Sequence, residues 1–288
     1  MSPTRRAAVV TLGAALAGSF AAPAAADRSA PAGASPAGRG RPPLIHAHAH
    51  NDYAHPRPLA DALSHGFNSV EADIWLVRDR LLVAHDPSEL DPARTLEALY
   101  LDPLLRRIRA NHGRVHRGYD VTLQLLIDIK SPGEATYRAL SRHLRPYRAI
   151  LSNWSGGRVR RGAVTAVVSG DRGARIPMEA ERVRHAFYDG RLTDLGGAPA
   201  SFAPLVSDNW NQNFTWQGSG PMPERERAAL RRIVTTAHAE GRKVRFWATP
   251  DLPGPARDAL WRELLDAGVD YLNTDDLAGL EAFLRTAR

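Results

Sequence analysis

Three short segments of this chain carry acids, imidazoles and an amine at spacings that put them on shared faces. They are His46-Ala47-His48-Ala49-His50-Asn51-Asp52, Glu71-Ala72-Asp73 and Leu126-Ile127-Asp128-Ile129-Lys130. In extended backbone, residues i and i+2 point to the same side. Glu71 and Asp73 therefore share one face, and Asp128 and Lys130 share another. Lys130 is one of only two Lys among 38 basic residues, which sets apart an amine two residues from an acid in an apolar run. Each piece also has a plain structural reading. The acid pair could face water, Asp128 and Lys130 could be a strand-end ion pair, and His85-Asp86-Pro87 could be a capped turn. Together they imply more. Buried, unpaired carboxylates are costly. A divalent cation offsets that cost and can polarise a phosphoryl oxygen. Lys130 would hold a second phosphate oxygen as a point charge, and two imidazoles could serve as general base and general acid.

Such a set needs strand ends that converge. From Leu44 onward, short apolar runs alternate with helical patterns. The runs 44–48, 67–75, 121–129, 163–168, 186–188, 203–206, 243–248 and 270–273 read as eight strands, with 81–84 as a hairpin partner of the second. Between them 58–65, 95–111, 134–144, 223–240, 255–267 and 277–287 read as helices, with Pro103 expected to break the second of these. Val121 to Ile129 is apolar on both faces until Asp128, as suits a buried parallel strand. Eight strands with helices between them predict an α/β fold, a single-domain (β/α)₈ TIM barrel. The candidates then fall at the C-terminal strand ends, where barrel active sites sit. Residues 196 to 220, rich in Asn, Trp and Gly, read as a long functional loop. Its aromatic groups Trp210, Phe214 and Trp216 would suit either a headgroup platform or a hydrophobic plug.

The N-terminus carries Arg5-Arg6, an apolar stretch from Ala7 to Ala22, and Ala24-Ala25-Ala26. This reads as a cleaved signal peptide over 1–26, with a twin-arginine route open to it. Residues 27–42 read as a disordered linker, and 43–288 as the barrel domain. The expectation is a secreted, extracellular protein. With no Cys, any metal must be held by oxygen and imidazole, which favours Ca²⁺ or Mg²⁺. A formal charge of +7 favours anionic partners, namely a small-molecule or lipid phosphodiester, with transient membrane-surface contact. No nucleic-acid motif accompanies the charge, and a monomer is expected.

The order of His50-Asn51-Asp52-Tyr53, then the stretch from Ala62 to Asp73, then Val83-Ala84-His85-Asp86, then Asp128-Ile129-Lys130 resembles the phospholipase C-like phosphodiesterase superfamily. Glycerophosphodiester phosphodiesterases, inositol phospholipases and sphingomyelinase-D-like enzymes belong to it. The likeness extends to Phe246-Trp247-Ala248 and Asn273-Thr274-Asp275. It implies one divalent metal at Glu71, Asp73 and Asp128, with Asn51 as a further ligand, and catalysis by His50 and His85. Lys130 and Trp247 would then meet the substrate. Two departures mark a divergent branch: the common His-Arg-Gly opening is absent, and the third-strand Glu-x-Lys is here Asp-x-Lys.

Two other readings compete. His-x-His on the first strand also suits a metal-dependent amidohydrolase, with His185 and Asp275 as further pieces, though it leaves Glu71, Asp73 and Lys130 without a role. A non-catalytic barrel that binds headgroups or glycans is the other.

Overall fold

The computed structural model describes residues 40–287. The readings of 1–26 as a signal peptide and of most of 27–42 as a linker fall outside them. Twelve strands follow in chain order: β1 (Leu44–Ala49), β2 (Phe67–Val77), β3 (Arg80–Val83), β4 (Leu123–Ile129), β5 (Asn153–Ser155), β6 (Arg158–Arg160), β7 (Val164–Gly170), β8 (Val183–Arg184), β9 (Ala186–Gly190), β10 (Leu205–Asn209), β11 (Lys243–Trp247) and β12 (Leu272–Thr274).

Eight of them run parallel in the order β11-β10-β9-β7-β4-β2-β1-β12. A bridge between Arg245 and Tyr271 joins the two ends and closes the circle. The fold is the expected (β/α)₈ barrel. β3 folds back antiparallel on β2, pairing Ile74 with Val83, and delivers His85 to the same end as the other candidates.

The alternation along β2 explains its sequence. Val70, Ala72 and Ile74 belong to the main hydrophobic cluster between strands and helices. Ser69, Glu71 and Asp73 occupy the other face, which is the barrel interior and not the solvent. Glu71 is 4% exposed and Asp73 1%. The lower interior holds a separate apolar cluster of Leu126, Val167, Phe187, Leu205 and Tyr271, with Trp154 packed against it. Polar residues stand on this plug as on a floor.

Two elements depart from expectation, and a third decides between two readings left open. Strands β5, β6 and β8 form a small separate sheet. They are too short for a periodic signal, and β5 is held in place by Trp154. Pro103 does not break its helix. A π-turn over Glu97–Leu101 runs into the α-helix Asp102–Ala110, which carries the proline in its first turn. The aromatic loop is no platform. Trp210, Phe214 and Trp216 are buried, and Trp210 lies 4.2 Å from Phe214 and 5.5 Å from Phe246, ring centre to centre. The Trp210 indole N–H donates to the Trp216 carbonyl at 2.7 Å. The loop is a hydrophobic plug, and it offers no apolar lip to a lipid. Trp210→Ala should therefore cost about 3–5 kcal/mol in urea unfolding.

Candidate active site

The strand register brings the acids together. Asp73 on β2 pairs with Asp128 on β4, which pairs with Ser169 on β7. Glu71, Asp73 and Asp128 each offer a carboxylate oxygen within 4.8 Å of the others. Asp73 Oδ1 and Asp128 Oδ1 are buried with no hydrogen-bond partner. A buried acceptor left unpaired costs about 1–3 kcal/mol, more when charged. Two such oxygens in one acid cluster fit a divalent cation, and all-oxygen donors suit a hard one.

The other groups on these acids hold them in place. The Glu71 Oε2 atom accepts from Arg245 Nη2 at 2.8 Å and lies 3.0 Å from His48 Nε2. Arg245 also donates to Asn273 Oδ1 at 2.8 Å. Glu71 is buried, but the Arg245 charge and the His48 hydrogen bond overcome that and hold its carboxyl well below the usual range. Lys130 Nζ reaches Asp73 Oδ2 at 3.1 Å and Asp128 Oδ2 at 3.5 Å. Burial raises Asp73, and the nearby Glu71 charge adds to it. Burial pushes Asp128 up to about 6; Lys130 pulls against that, while Glu71 and Asp73 add to it.

The closeness of β7 to Asp128 is enforced by Gly170. Its φ is +81°, and a Cβ built there would lie 2.2 Å from Asp128 Oδ1 and 2.3 Å from the Ile129 carbonyl. No other residue leaves the carboxylate where it is.

The imidazoles separate by position. His48 is fully buried, its Nδ1 2.7 Å from Ser69 Oγ, which accepts from Gln124 Nε2 at 2.9 Å. With a proton on Nε2, this chain is satisfied from Gln124 to Glu71. Burial, with Arg245 adding to it, lowers the His48 pKa to about 3. His48 is a neutral strut behind Glu71, out of reach of a substrate. His50 lies at the rim, its Nδ1 2.8 Å from Asp275 Oδ1. Burial opposes its protonation, but Asp275 and Glu71 outweigh that and raise its pKa. His85 stands opposite, its Nδ1 3.1 Å from Asp73 Oδ2 and 3.2 Å from the Tyr53 hydroxyl. That hydroxyl is 2.7 Å from both Asp73 Oδ2 and Asn51 Oδ1, and its one proton serves one at a time. Asn51, at φ 47° and ψ 34°, sits in the left-handed region that Asn tolerates.

A cavity of about 250 Å³ is lined by His50, Asn51, Glu71, His85, Asp128, Lys130 and Trp247, together with Ser169, Arg191 and Arg245. A wider groove of about 760 Å³ adjoins it through Asn51 and His85, past Tyr53, Arg94 and Asp275. Of the expected site residues, Asp73 alone does not line the inner cavity, and it stands directly behind the three groups that touch it. Arg245, Tyr53, Asp275, Ser169 and Arg191 were missed by the sequence reading. Alternation from Trp247 back to Arg245 carried a signal for the first, and Tyr53 and Asp275 stand in motif segments without having been given a role in catalysis; Ser169 and Arg191 lie in segments with no motif. His185, needed by the amidohydrolase reading, lines a different concavity beside Arg148 and Val183. It does not join His48 and His50.

The profile of an AIM6-like phosphodiesterase domain matches residues 42–189, and that of the glycerophosphoryl diester phosphodiesterase family matches residues 243–278. The Altered inheritance of mitochondria protein 6 homolog of Arthroderma benhamiae is 31% identical over 83% of this chain and 83% of that protein. The Altered inheritance of mitochondria protein 6 of Eremothecium gossypii is 31% identical over 84% of this chain and 70% of that protein. A solved glycerophosphodiester phosphodiesterase from Parabacteroides distasonis has a TM-score of 0.50 at 14% identity, covering 84% of this chain and 97% of that one. That likeness concerns the barrel alone. These relatives correct one expectation. They carry a mitochondrial name, which overturns the reading of a secreted, extracellular protein. An Arg-bearing, Ala-rich N-terminus without acids is a composition that export signals share with transit peptides.

Two outcomes follow from the geometry. Gly170→Ala should displace Asp128 and abolish divalent-cation binding measured by calorimetry, while the circular dichroism spectrum stays native. His48 is held neutral, so the unfolded chain binds its proton first, and stability attributable to it rises with pH between about 3 and the unfolded value of 6.5. Urea unfolding of His48→Gln against the parent from pH 4 to 7 should show a shallower acid limb in the variant.

Proposed function

Because the chain belongs to the AIM6-like phosphodiesterase domain family, we propose that its barrel mouth hydrolyses phosphoric diesters with Ca²⁺ or Mg²⁺ as cofactor. The observation that carries this reading is the convergence of Glu71, Asp73 and Asp128, with two orphaned carboxylate oxygens, between two rim imidazoles. Glu71, Asp73 and Asp128 would hold the ion, with Asn51 Oδ1 as a further donor. When bound, the ion supplies Lewis-acid neutralisation of a phosphoryl oxygen.

The chain's own residues do the rest. Lys130, anchored on Asp73 and Asp128, presents its ammonium to a second phosphoryl oxygen. His50, held at Nδ1 by Asp275, and His85, held at Nδ1 by Asp73, each keep Nε2 for proton transfer. One removes the proton of the attacking hydroxyl, and the other protonates the leaving alkoxide. The nucleophile is water or a neighbouring hydroxyl of the substrate. Trp247, on the cavity wall, covers an apolar stretch of the bound alcohol.

Turnover should be tested on a panel of glycerophosphodiesters and phospholipids with Ca²⁺, with Mg²⁺ and with chelator. We expect metal-dependent hydrolysis that Asp128→Asn and Glu71→Gln both abolish without unfolding the protein. His50→Ala should lower kcat by about 10²–10⁴-fold, whereas His48→Ala should chiefly lower stability and metal affinity. Full activity in Asp128→Asn, or no hydrolysis of any diester by folded, metal-loaded protein, would overturn the proposal.

A further inference from the structure

The end of the barrel opposite the catalytic mouth has a chemistry of its own. The parallel strands start there: Gly162 lies just before β7, and His185 directly before β9. Gly156 and Gly157 turn β5 into β6 with φ of +56° and +79°, the left-handed pair that a two-residue hairpin loop needs. The turn stands clear of the barrel, since a Cβ built on either glycine meets nothing within 4 Å. Ser155 pairs with Arg158 and Asn153 with Arg160, so the two arginines share the face opposite Trp154. Trp154 itself packs on the apolar plug and is covered by the Arg184 guanidinium at 5.0 Å.

A concavity of about 760 Å³ opens beside this hairpin. Arg148, Arg158, Arg160, Arg161 and His185 line it, and no Asp or Glu does. All four arginines are exposed, and none of them forms an ion pair with a carboxylate among the described residues. Arginines elsewhere behave otherwise: Arg57 pairs with Asp61 at 2.7 Å and Arg227 with Glu263 at 2.6 Å. Burial lowers the His185 pKa, and Arg145 and Arg148 add to that against Glu181. Glu181 is already engaged, accepting from the Tyr137 hydroxyl at 2.8 Å and from Ser141. Two valines stand among the cations on the same wall. Val159 is 44% exposed and Val183 51%.

Clustered cations repel one another, and here the chain supplies no acid to offset it. A surface rich in phosphate does, because guanidinium forks match phosphate oxygens. The exposed valines decide which phosphate-bearing surface fits best. A soluble polyanion leaves them in water, whereas a bilayer interface takes up apolar groups beside cationic ones. A single-stranded nucleic acid would gain from aromatic faces for its bases, and Trp154, the aromatic residue of this small sheet, is packed inward. We propose that the β5–β6 hairpin and the concavity beside it form a docking surface for membranes of anionic phospholipid. The proposal is independent of the diesterase reading. A docked chain turns its catalytic mouth away from the bilayer and toward water, in keeping with an aromatic loop that offers no apolar lip at that end.

The test is co-sedimentation of the full chain with phosphatidylcholine vesicles, with and without about one-third phosphatidylglycerol, at low salt and at about 0.5 M salt. Use of the full chain makes any contribution of residues 1–39 common to every variant. Each Arg near an anionic surface contributes about five-fold to partitioning. The parent should bind the anionic vesicles about 100-fold more tightly than the neutral ones, and high salt should remove most of that difference. Arg158→Glu combined with Arg160→Glu should weaken binding to anionic vesicles by about ten-fold or more. The same change of net charge on the helix Glu224–Ala239, by Arg225→Glu with Arg232→Glu, should cost no more than about two-fold. Circular dichroism checks that the variants fold; if the hairpin reversal does not, Arg158→Gln with Arg160→Gln decides, with an expected loss of about five-fold or more. Tripolyphosphate and poly-uridine are added as competitors at phosphate equal to that of the anionic lipid, and the vesicles should hold the chain against both. Equal binding to neutral and anionic vesicles, equal losses in the two arginine pairs, or displacement by either competitor overturns the proposal.

Discussion

Three carboxylates share one water-poor mouth, and most of the surrounding structure answers to that. Glu71 and Asp73 are almost wholly buried, and Asp128 is close behind them. The protein cations within reach are Lys130 and Arg245. Arg245 secures Glu71 as an anion, but the remaining two acids share one ammonium. Burial and mutual repulsion then raise Asp73, and push Asp128 up to about 6. The cluster is thus built with more negative charge than the chain itself balances. A divalent cation resolves the conflict directly, since it removes the repulsion and satisfies the two orphaned oxygens. Without such a partner the arrangement would be a net burden on stability.

The supporting groups make that conflict tolerable and keep it in one geometry. The line Gln124, Ser69, His48, Glu71 is a buried chain with every polar end met. It rests on the apolar plug of Leu126, Val167, Phe187, Leu205 and Tyr271. Gly170 lets β7 approach Asp128 so closely that any side chain would displace it. On the far side the buried Asp189 holds Arg191, whose Nη1 donates to Oδ2 at 3.2 Å. His50 and His85 stand at the rim of the cavity, each held at Nδ1 by a carboxylate. These second contacts fix ring orientation in the way metal and acid–base sites generally require.

Much of this was legible in the residues. Period-two alternation from Ser69 to Ile74 placed both acids on one face, and the eight-strand rhythm placed that face at a barrel mouth. The sequence could not tell whether the face met water or the barrel interior, because alternation is the same in both cases; closure between β11 and β12 decides it. His48 and His50 looked equivalent in the string His-Ala-His-Ala-His. Their roles separate only because one is under the carboxylates and the other at the rim. Trp210, Phe214 and Trp216 had the composition of either a plug or a platform; Trp210 and Phe214 pack inward against Phe246, far downstream in the chain, and Trp216 is tied to Trp210 by its carbonyl. Arg245 gave only a period-two signal from Trp247, and Arg191 gave none. In a chain with so many Arg, one that pairs across the barrel looks like any other.

The proposed activity rests on Glu71, Asp73 and Asp128 forming one divalent-cation site. Calorimetric titration of chelator-treated protein with Ca²⁺ and with Mg²⁺ tests it most directly, alongside Asp128→Asn. One ion should bind per chain, with uptake accompanied by proton release at pH 6, where Asp128 is partly protonated, and binding should be lost in the variant. Folded protein that takes up neither ion, or Asp128→Asn binding as tightly as the parent, would contradict it.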